Sequence, residues 1–123
     1  MQLTNLEVSP APAPYSVGSV LVAGYYGKQR VNAVLDPVDL DDYFKKGYPH
    51  LDDAQRRILV DGNKEIIGGL MQKKCEAGEW KDEEQPGGMV KKVEISRADL
   101  FGVVPRLSDD RLKVFQAAGF QKR

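Results

Sequence analysis

The chain has 123 residues, of which 41% are hydrophobic, and its 18 Lys and Arg balance its 18 Asp and Glu. This length suits one compact domain with its own apolar core, and the zero formal charge removes the overall basicity that drives binding to nucleic acids or anionic membranes. A single cysteine excludes an internal disulfide, and the apolar runs are far shorter than the roughly 20 residues that span a bilayer.

The first fifteen residues combine an apolar pattern with a proline-rich stretch. Apolar residues at positions 3, 6 and 8 indicate a short strand. Pro10, Pro12 and Pro14 then restrict their own backbone and that of the residues before them to extended geometry. We therefore predict a Pro-rich N-terminal arm over residues 1–15 and a single domain over residues 16–123.

Residues 16–35 are rich in β-branched and aromatic side chains, with Gly27 and Lys28 between two such runs. Gly27 provides the positive φ that a tight turn needs, and Pro37 ends the second run because proline cannot donate to a sheet. The pattern predicts a β-hairpin.

Three stretches with helical spacing of apolar residues follow. The first runs from Leu40 to Phe44 behind Asp39 as a candidate N-cap, the second from Leu51 to Leu59, and the third from Ile66 to Cys75. Gly68 and its neighbour Gly69 interrupt the third helix, which predicts either a close approach of another element or a kink.

A hairpin is an alternative for part of this region. Ile58–Val60 and Glu65–Ile67 flank a turn-forming stretch, Asp61–Lys64, and so are able to pair as two strands. We prefer helices, because the helical period continues to Cys75, and the sequence leaves open whether residues 51–77 form one helix or two.

The segment 81–88 is charged and ends in proline and glycine, which predicts a mobile loop. Met89–Ser96 alternates around Val93 and Ile95 and predicts a half-buried strand. Ser96 is then placed to cap one helical turn.

A last amphipathic helix is predicted around Leu112 and Phe115, with Ser108 as its N-cap and Gly119 at its end.

Together these elements predict an α+β fold, in which a small antiparallel sheet, formed by the hairpin and the later strand, is covered by two or three helices. The predicted core consists of apolar residues from all of these elements: Val20, Val22, Val34, Ile58, Ile66, Leu70, Met71, Val93, Ile95, Leu112 and Phe115.

The residues needed for common catalytic sites are scarce. One histidine and one cysteine exclude a Cys/His zinc site, no serine lies in a nucleophile-elbow sequence, and no glycine-rich phosphate loop is present. Cys75 lies on an apolar stripe, which favours a buried structural thiol. The acidic run Asp36–Asp42 lacks the spacing of a calcium loop and is explained by capping and solvation. We expect no metal, no cofactor and no catalytic activity.

One group of side chains suggests binding. Tyr25, Tyr26, Lys28 and Arg30 surround the tip of the predicted hairpin, where aromatic rings and cations suit single-stranded nucleic acid. The alternative is that tyrosine favours strands and cations keep hairpin turns soluble. Alternation along a strand also places the two tyrosines on opposite faces, so only one of them shares a face with a given cation.

The sequence therefore favours a small non-catalytic binding or regulatory module that recognises another protein, such as an inhibitor, adaptor or accessory factor, including one encoded by a phage or mobile element. The alternative is a domain that binds single-stranded nucleic acid through Tyr25–Arg30. An unpaired cysteine and no recognisable export signal predict a cytoplasmic location. No membrane partner is expected.

Overall fold

The computed structural model describes residues 2–44, 51–85 and 88–103. Within these residues the fold is α+β, as the sequence predicts, with five strands and four helices. In chain order they are β1 (Leu3–Pro10), β2 (Val20–Tyr26), β3 (Gln29–Leu35), α1 (Pro37–Phe44), α2 (Asp53–Gly62), α3 (Lys64–Glu76), β4 (Lys81–Gln85), β5 (Gly88–Val93) and α4 (Arg97–Val103).

The strands form one mixed sheet in the order β1-β2-β3-β5-β4. Neighbouring strands are antiparallel except for β3 and β5, which run parallel. A parallel pair needs a long crossover, and α1, α2, α3 and β4 supply it between these two strands. The predicted hairpin and later strand form the centre of the sheet, and β1 and β4 add an edge strand on each side.

The β2–β3 hairpin is confirmed. Tyr26 pairs with Gln29 across a two-residue turn in which Gly27 has a φ of 65°. Glycine adopts this positive φ at little energetic cost, because it has no Cβ. A two-residue turn also fixes the register of the two strands that it joins. Strand β3 ends at Leu35, before the proline that begins α1.

Part of the segment predicted as an N-terminal arm belongs to the sheet. Strand β1 pairs antiparallel with β2, from Leu3 opposite Tyr26 to Pro10 opposite Val20. The pairing is irregular between Thr4 and Glu7, where the intervening Asn5 has a φ of 54°. Pro10 is compatible with the sheet because it lies at the end of an edge strand.

The preference for helices over a hairpin in the middle of the chain is correct. Helix α2 begins with a capping box, in which Asp52 accepts a 2.8 Å hydrogen bond from the Gln55 backbone N–H and the Gln55 side chain accepts one from the Asp52 backbone. Asn63 separates α2 from α3, and its buried side chain donates to the Leu59 carbonyl. The alternative hairpin is wrong.

The helices form a layer against the sheet. Helices α2 and α3 contact β1 and β2, α3 also contacts β5, and α1 and α4 contact each other. At the closest point, a Cβ added to Gly68 would lie 2.6 Å from Leu6 Cδ1. The predicted close approach is therefore confirmed at Gly68, whereas a Cβ on Gly69 would meet nothing within 4 Å.

Arg56 joins α2 to α1. Its guanidinium makes two hydrogen bonds to the Asp41 carboxylate, at 2.7 and 3.0 Å, and one to Asp53 at 2.6 Å. The Asp41 contact is the leading cause of a raised pKa for Arg56. Asp41 from the acidic run thus has a structural role.

The core lies between the helices and one face of the sheet. Buried members from the prediction are Val20, Val22, Leu70, Met71, Val93 and Ile95. Three predicted members differ: Ile58 is 39% exposed, and Val34 and Ile66 are half-buried. Ile58 is displaced by its neighbours Leu59 and Val60, which occupy the buried side of α2.

The loop predicted for residues 81–88 is wrong over its first five residues, which form strand β4. This strand pairs with β5, from Lys81 opposite Lys92 to Gln85 opposite Gly88. Backbone hydrogen bonds hold an edge strand even when its side chains are charged, and charges on an edge discourage unwanted pairing.

Helix α4 follows β5 as predicted, with Ser96 Oγ accepting a hydrogen bond from the Asp99 backbone N–H. The single histidine, His50, residues 86 and 87 of the predicted loop, and the predicted C-terminal helix with Leu112 and Phe115 lie outside the described residues.

Candidate binding surface

One face of the sheet points away from the core, and we call it the open face. Because side chains alternate along a strand and cross-strand partners share a face, the residues paired with Leu21, Ala23 and Tyr25 belong to it. Across the sheet it is formed by Thr4, Glu7, Ser9, Leu21, Ala23, Tyr25, Arg30, Asn32, Val34, Lys81, Glu83, Gln85, Val90 and Lys92.

A segment from Ala11 to Ser19, which we call the strap, connects β1 to β2 and crosses this face. Its two ends are joined by a 3.0 Å hydrogen bond from the Ala11 N–H to the Ser19 carbonyl. At its middle, the Tyr15 hydroxyl donates to the Glu83 carboxylate on the far edge strand, at 3.2 Å. The ammonium of Lys92 lies 4.6 Å from the centre of the Tyr15 ring. The strap thus covers the end of the open face where β2 begins and β3 and β5 end.

The opposite end of the open face carries the residues singled out from the sequence. Tyr25 and Arg30 lie directly across from each other on β2 and β3. Tyr25 is 39% exposed and Arg30 is exposed. Lys28 is exposed in the turn that joins these strands. We call Tyr25, Lys28 and Arg30 the tip surface.

Tyr26 faces the other side of the sheet, where it packs against the core cluster. Its cross-strand partner Gln29 donates a hydrogen bond to the Met89 carbonyl and so joins the hairpin to β5. Three of the four predicted site residues are therefore together, and Tyr26 is separated from them by the sheet. The sequence predicted this separation but not which tyrosine would face outward.

The two cations of the tip surface are not neutralised by the described part of the chain. Neither Lys28 nor Arg30 makes an ion pair with a described carboxylate. The Arg30 Nε makes a long 3.4 Å hydrogen bond to Asn32, which is itself buried. This contact leaves most of the guanidinium donors without a partner among the described residues.

The other residues considered for chemistry have structural surroundings. Cys75 is buried in the core, and burial raises the pKa of its thiol despite the nearby Lys91 ammonium. A buried thiol with a raised pKa is a poor nucleophile. In the acidic run, Asp36 accepts a 2.8 Å hydrogen bond from the Val38 N–H at the start of α1, and Asp42 pairs with Arg97.

Metal-ligating side chains do not gather in the described ranges: no group of three or more His, Cys, Asp or Glu residues is placed to hold an ion there.

The sequence did not indicate the contacts of Tyr15, which was predicted only as the last residue of the N-terminal arm. Its partners are 68 and 77 positions away along the chain, so no local signal marks it.

Comparisons with models of protein families, with curated proteins and with solved structures gave no match to this chain. None of the described helices is both long and apolar enough to cross a membrane.

Proposed function

We propose that this chain is a non-catalytic binding module that uses the tip surface to hold an acidic segment of another protein. The observation that supports this most is the pairing of Tyr25 with Arg30 on the open face. A tyrosine and an arginine side by side provide a rigid apolar area and a planar set of donors, and these residue types dominate binding energy at protein interfaces.

The charge of the tip surface supports an acidic partner. Lys28 and Arg30 contribute two positive charges without described ion-pair partners. A carboxylate from a partner would meet the Arg30 guanidinium in the bidentate geometry that makes such hydrogen bonds strong. The aromatic ring of Tyr25 would exclude water beside that contact.

The surroundings favour protein over nucleic acid. Glu7 lies opposite Ala23, at the open-face position next to Tyr25, and would repel a phosphate backbone, which carries a charge at every nucleotide. A protein segment is able to place one carboxylate at Arg30 and a neutral residue beside Glu7. Only one of the two tip tyrosines faces outward, so a row of stacked bases has a single ring at this end. The formal charge of the whole chain is zero.

A cytoplasmic setting is part of this proposal. Cys75 is a free, buried thiol, and such a thiol persists best in a reducing compartment.

The test compares wild-type protein with a Tyr25→Ala/Arg30→Ala variant in affinity capture from source cells. A Trp80→Ala/Lys91→Ala variant is the matched control, because Trp80 is 37% exposed and lies beside a cation. Lys91 pairs with the core residue Val31 and so faces the other side of the sheet. We expect wild type and the control to capture one protein in similar amounts. The tip variant should capture at least tenfold less of it.

The captured protein is then purified and titrated against all three forms. Affinity that falls with added salt and depends on Tyr25 and Arg30 supports the proposal, because exposed charge pairs are screened by salt. Equal affinity of the tip variant and wild type would refute it.

A single-stranded oligonucleotide titration separates the nucleic-acid alternative. Salt-dependent binding of the oligonucleotide that disappears with Tyr25→Ala would show that the tip surface binds nucleic acid and would overturn the protein partner. Tyr26→Ala is unsuitable here, because Tyr26 packs against the core and its loss would change stability.

A further inference from the structure

A cavity of about 300 Å³ lies at the strap end of the open face, away from the tip surface. The strap provides one wall through Tyr15 and Ser16, and the ends of the parallel strands β3 and β5 provide the rest. In open α/β sheets, ligands bind beyond the carboxyl ends of the parallel strands, and this cavity has that position relative to the parallel pair β3 and β5. Both α1 and α4 begin at this edge, directly after β3 and β5.

Ser19 is the first polar residue of the cavity wall that bears on a ligand. The residue is only 5% exposed, and it lines the cavity. Its backbone is hydrogen-bonded within the strap, but its hydroxyl has no hydrogen-bond partner among the described residues. A buried hydroxyl without a partner costs free energy, and such a group calls for an explanation in a native fold.

Lys92 is the second polar residue of the cavity wall that bears on a ligand. Its ammonium makes no ion pair with a described carboxylate, although its side chain is half-buried and lines the cavity. The Tyr15 hydroxyl raises the pKa of Lys92 against the opposing effect of burial, and the charges of Glu83 and Glu94 add to this. The lysine is therefore an ammonium at neutral pH, and with Ser19 it offers donors to a carboxylate.

Two carboxylates line the same cavity. Asp36 uses one oxygen to accept the Val38 N–H and has no cation beside it in the described chain. Glu94 is 74% exposed and makes a long 3.6 Å contact with Lys81. The cavity thus presents the Lys92 ammonium and the Asp36 carboxylate, and no ion pair joins these two groups in the described chain.

The remaining wall is aliphatic. Val34 lines the cavity with its side chain on the open face, and Val93 and Ile95, which also border the cavity, belong to the buried core. An apolar part of a ligand is favoured beside Val34, because contact with this side chain removes it from water. The volume is at the lower limit of small-molecule sites, which restricts the ligand to a small one.

We propose that this cavity binds a small zwitterion with an aliphatic side chain, of which a free aliphatic α-amino acid is the simplest example. Its carboxylate is held by Lys92 and Ser19, its ammonium by Asp36, and its side chain by the aliphatic wall. This site is separate from the tip surface, and the proposal does not depend on a protein partner.

Isothermal titration calorimetry on the full chain tests it with L-alanine, L-valine and L-leucine. The tightest of these is compared with its N-acetyl derivative, which lacks the ammonium, and with its amide, which lacks the carboxylate. We expect each modified compound to bind at least tenfold more weakly. The proposal is overturned by absence of heat for all three amino acids, or by equal affinity for the modified compounds.

Variants then locate the site. Lys92→Met and Asp36→Asn should each weaken binding at least tenfold, and an asparagine at position 36 still caps α1. Lys73→Met, an exposed position on α3, should leave affinity unchanged. If Lys92→Met binds like wild type, the cavity is not the site.

Ser19→Ala separates binding from folding. Removing an unpartnered buried hydroxyl should keep or raise the unfolding temperature while it weakens binding severalfold. A lower unfolding temperature with unchanged affinity would show that the hydroxyl supports the fold and not a ligand.

Discussion

The adjacent glycines of α3 show how strongly surroundings differ between neighbouring residues. Both lie in the helix interior with ordinary helical backbone, so alanine would favour the helix at either position. A Cβ on Gly68 would reach 2.6 Å from Leu6 Cδ1, whereas one on Gly69 has open space. Only at Gly68 would a Cβ force the Leu6 side chain to move, so only this glycine is constrained by the packing of α3 on β1.

We predict that Gly69→Ala raises the free energy of unfolding by about 0.5–1 kcal/mol, which is the usual advantage of alanine over glycine in a helix. Gly68→Ala should be less stable than Gly69→Ala, because Leu6 must move away from the helix. Urea unfolding followed by circular dichroism measures both values.

A Leu6→Ala background supplies the control for this pair. With the Leu6 side chain removed, Gly68→Ala should become as favourable as Gly69→Ala. Equal effects of the two substitutions in the wild-type background would contradict the close approach at Gly68.

Tyr25 and Tyr26 are also adjacent residues with different surroundings, and this difference decides which of them belongs to the binding surface. Alternation along β2 requires that they lie on opposite faces, and the structure agrees. Which of them faces outward depends on where α2 and α3 pack, and those helices lie tens of residues further along the chain.

At the scale of elements, helix α4 shows that local signals are sufficient for a cap. The Asp99 carboxylate accepts a 2.9 Å hydrogen bond from the Ser96 N–H, and Ser96 Oγ accepts one from the Asp99 N–H. These reciprocal contacts need only residues three positions apart, so the sequence is enough to predict them. Lys74 on α3 adds a 3.4 Å ion pair with Asp99.

The cap makes stability depend on pH. The hydrogen bond from the Ser96 backbone lowers the pKa of Asp99 against the effect of burial, and the Ser96 hydroxyl and Lys74 lower it further. A lowered pKa in the folded state means that the carboxylate stabilises the fold above its ordinary value near 3.8. This stabilisation is lost as the pH falls through the lower folded-state value.

We predict that Asp99→Asn is less stable than wild type at pH 7 and that the difference shrinks as the pH falls below about 4. Thermal unfolding of both proteins from pH 7 to pH 2.5 measures it. A difference that stays constant over this range would show that the charge of Asp99 does not support the cap.

Strand β4 is the element that local patterns could not predict. Its five residues, Lys81 to Gln85, include no apolar side chain, so the sequence indicates a loop. It is a strand because its backbone pairs with β5 and because the Glu83 carboxylate accepts a hydrogen bond from Tyr15 in the strap. Strand β5 is the next element in the chain, but the side chains of β4 lack the apolar alternation that predicts a strand, and the contact with Tyr15 is tertiary.

At the scale of the whole molecule, Cys75 reports on the integrity of the core. It lies 5% exposed within the apolar cluster between α3 and the sheet. Burial raises the pKa of its thiol, which leaves little thiolate at neutral pH. Access to this group requires opening of the core.

We therefore predict that iodoacetamide at pH 8 modifies Cys75 slowly in the native protein and completely in urea, as measured by mass spectrometry. Lys73→Cys adds an exposed thiol on the same helix and should be modified rapidly without urea. Rapid native modification of Cys75 itself would be inconsistent with a closed core.

The sequence by itself determined the α+β class, the β2–β3 hairpin with its turn at Gly27 and the cap of α4, and it favoured helices over a hairpin where α2 and α3 lie. Each of these depends on spacing or turn chemistry within a few residues, which the order of amino acids records directly. The tip residues were found for the same reason, since the two sides of a hairpin are adjacent in the chain.

Only the tertiary structure decided which face of the sheet is open, that β3 pairs parallel with β5, and that a strap crosses to Glu83 and Lys92. The strap cavity brings together Ser19, Asp36 and Lys92, which are far apart in sequence. Strand pairing and helix packing join distant segments through the burial of shared apolar surface, and no local pattern specifies which segments meet.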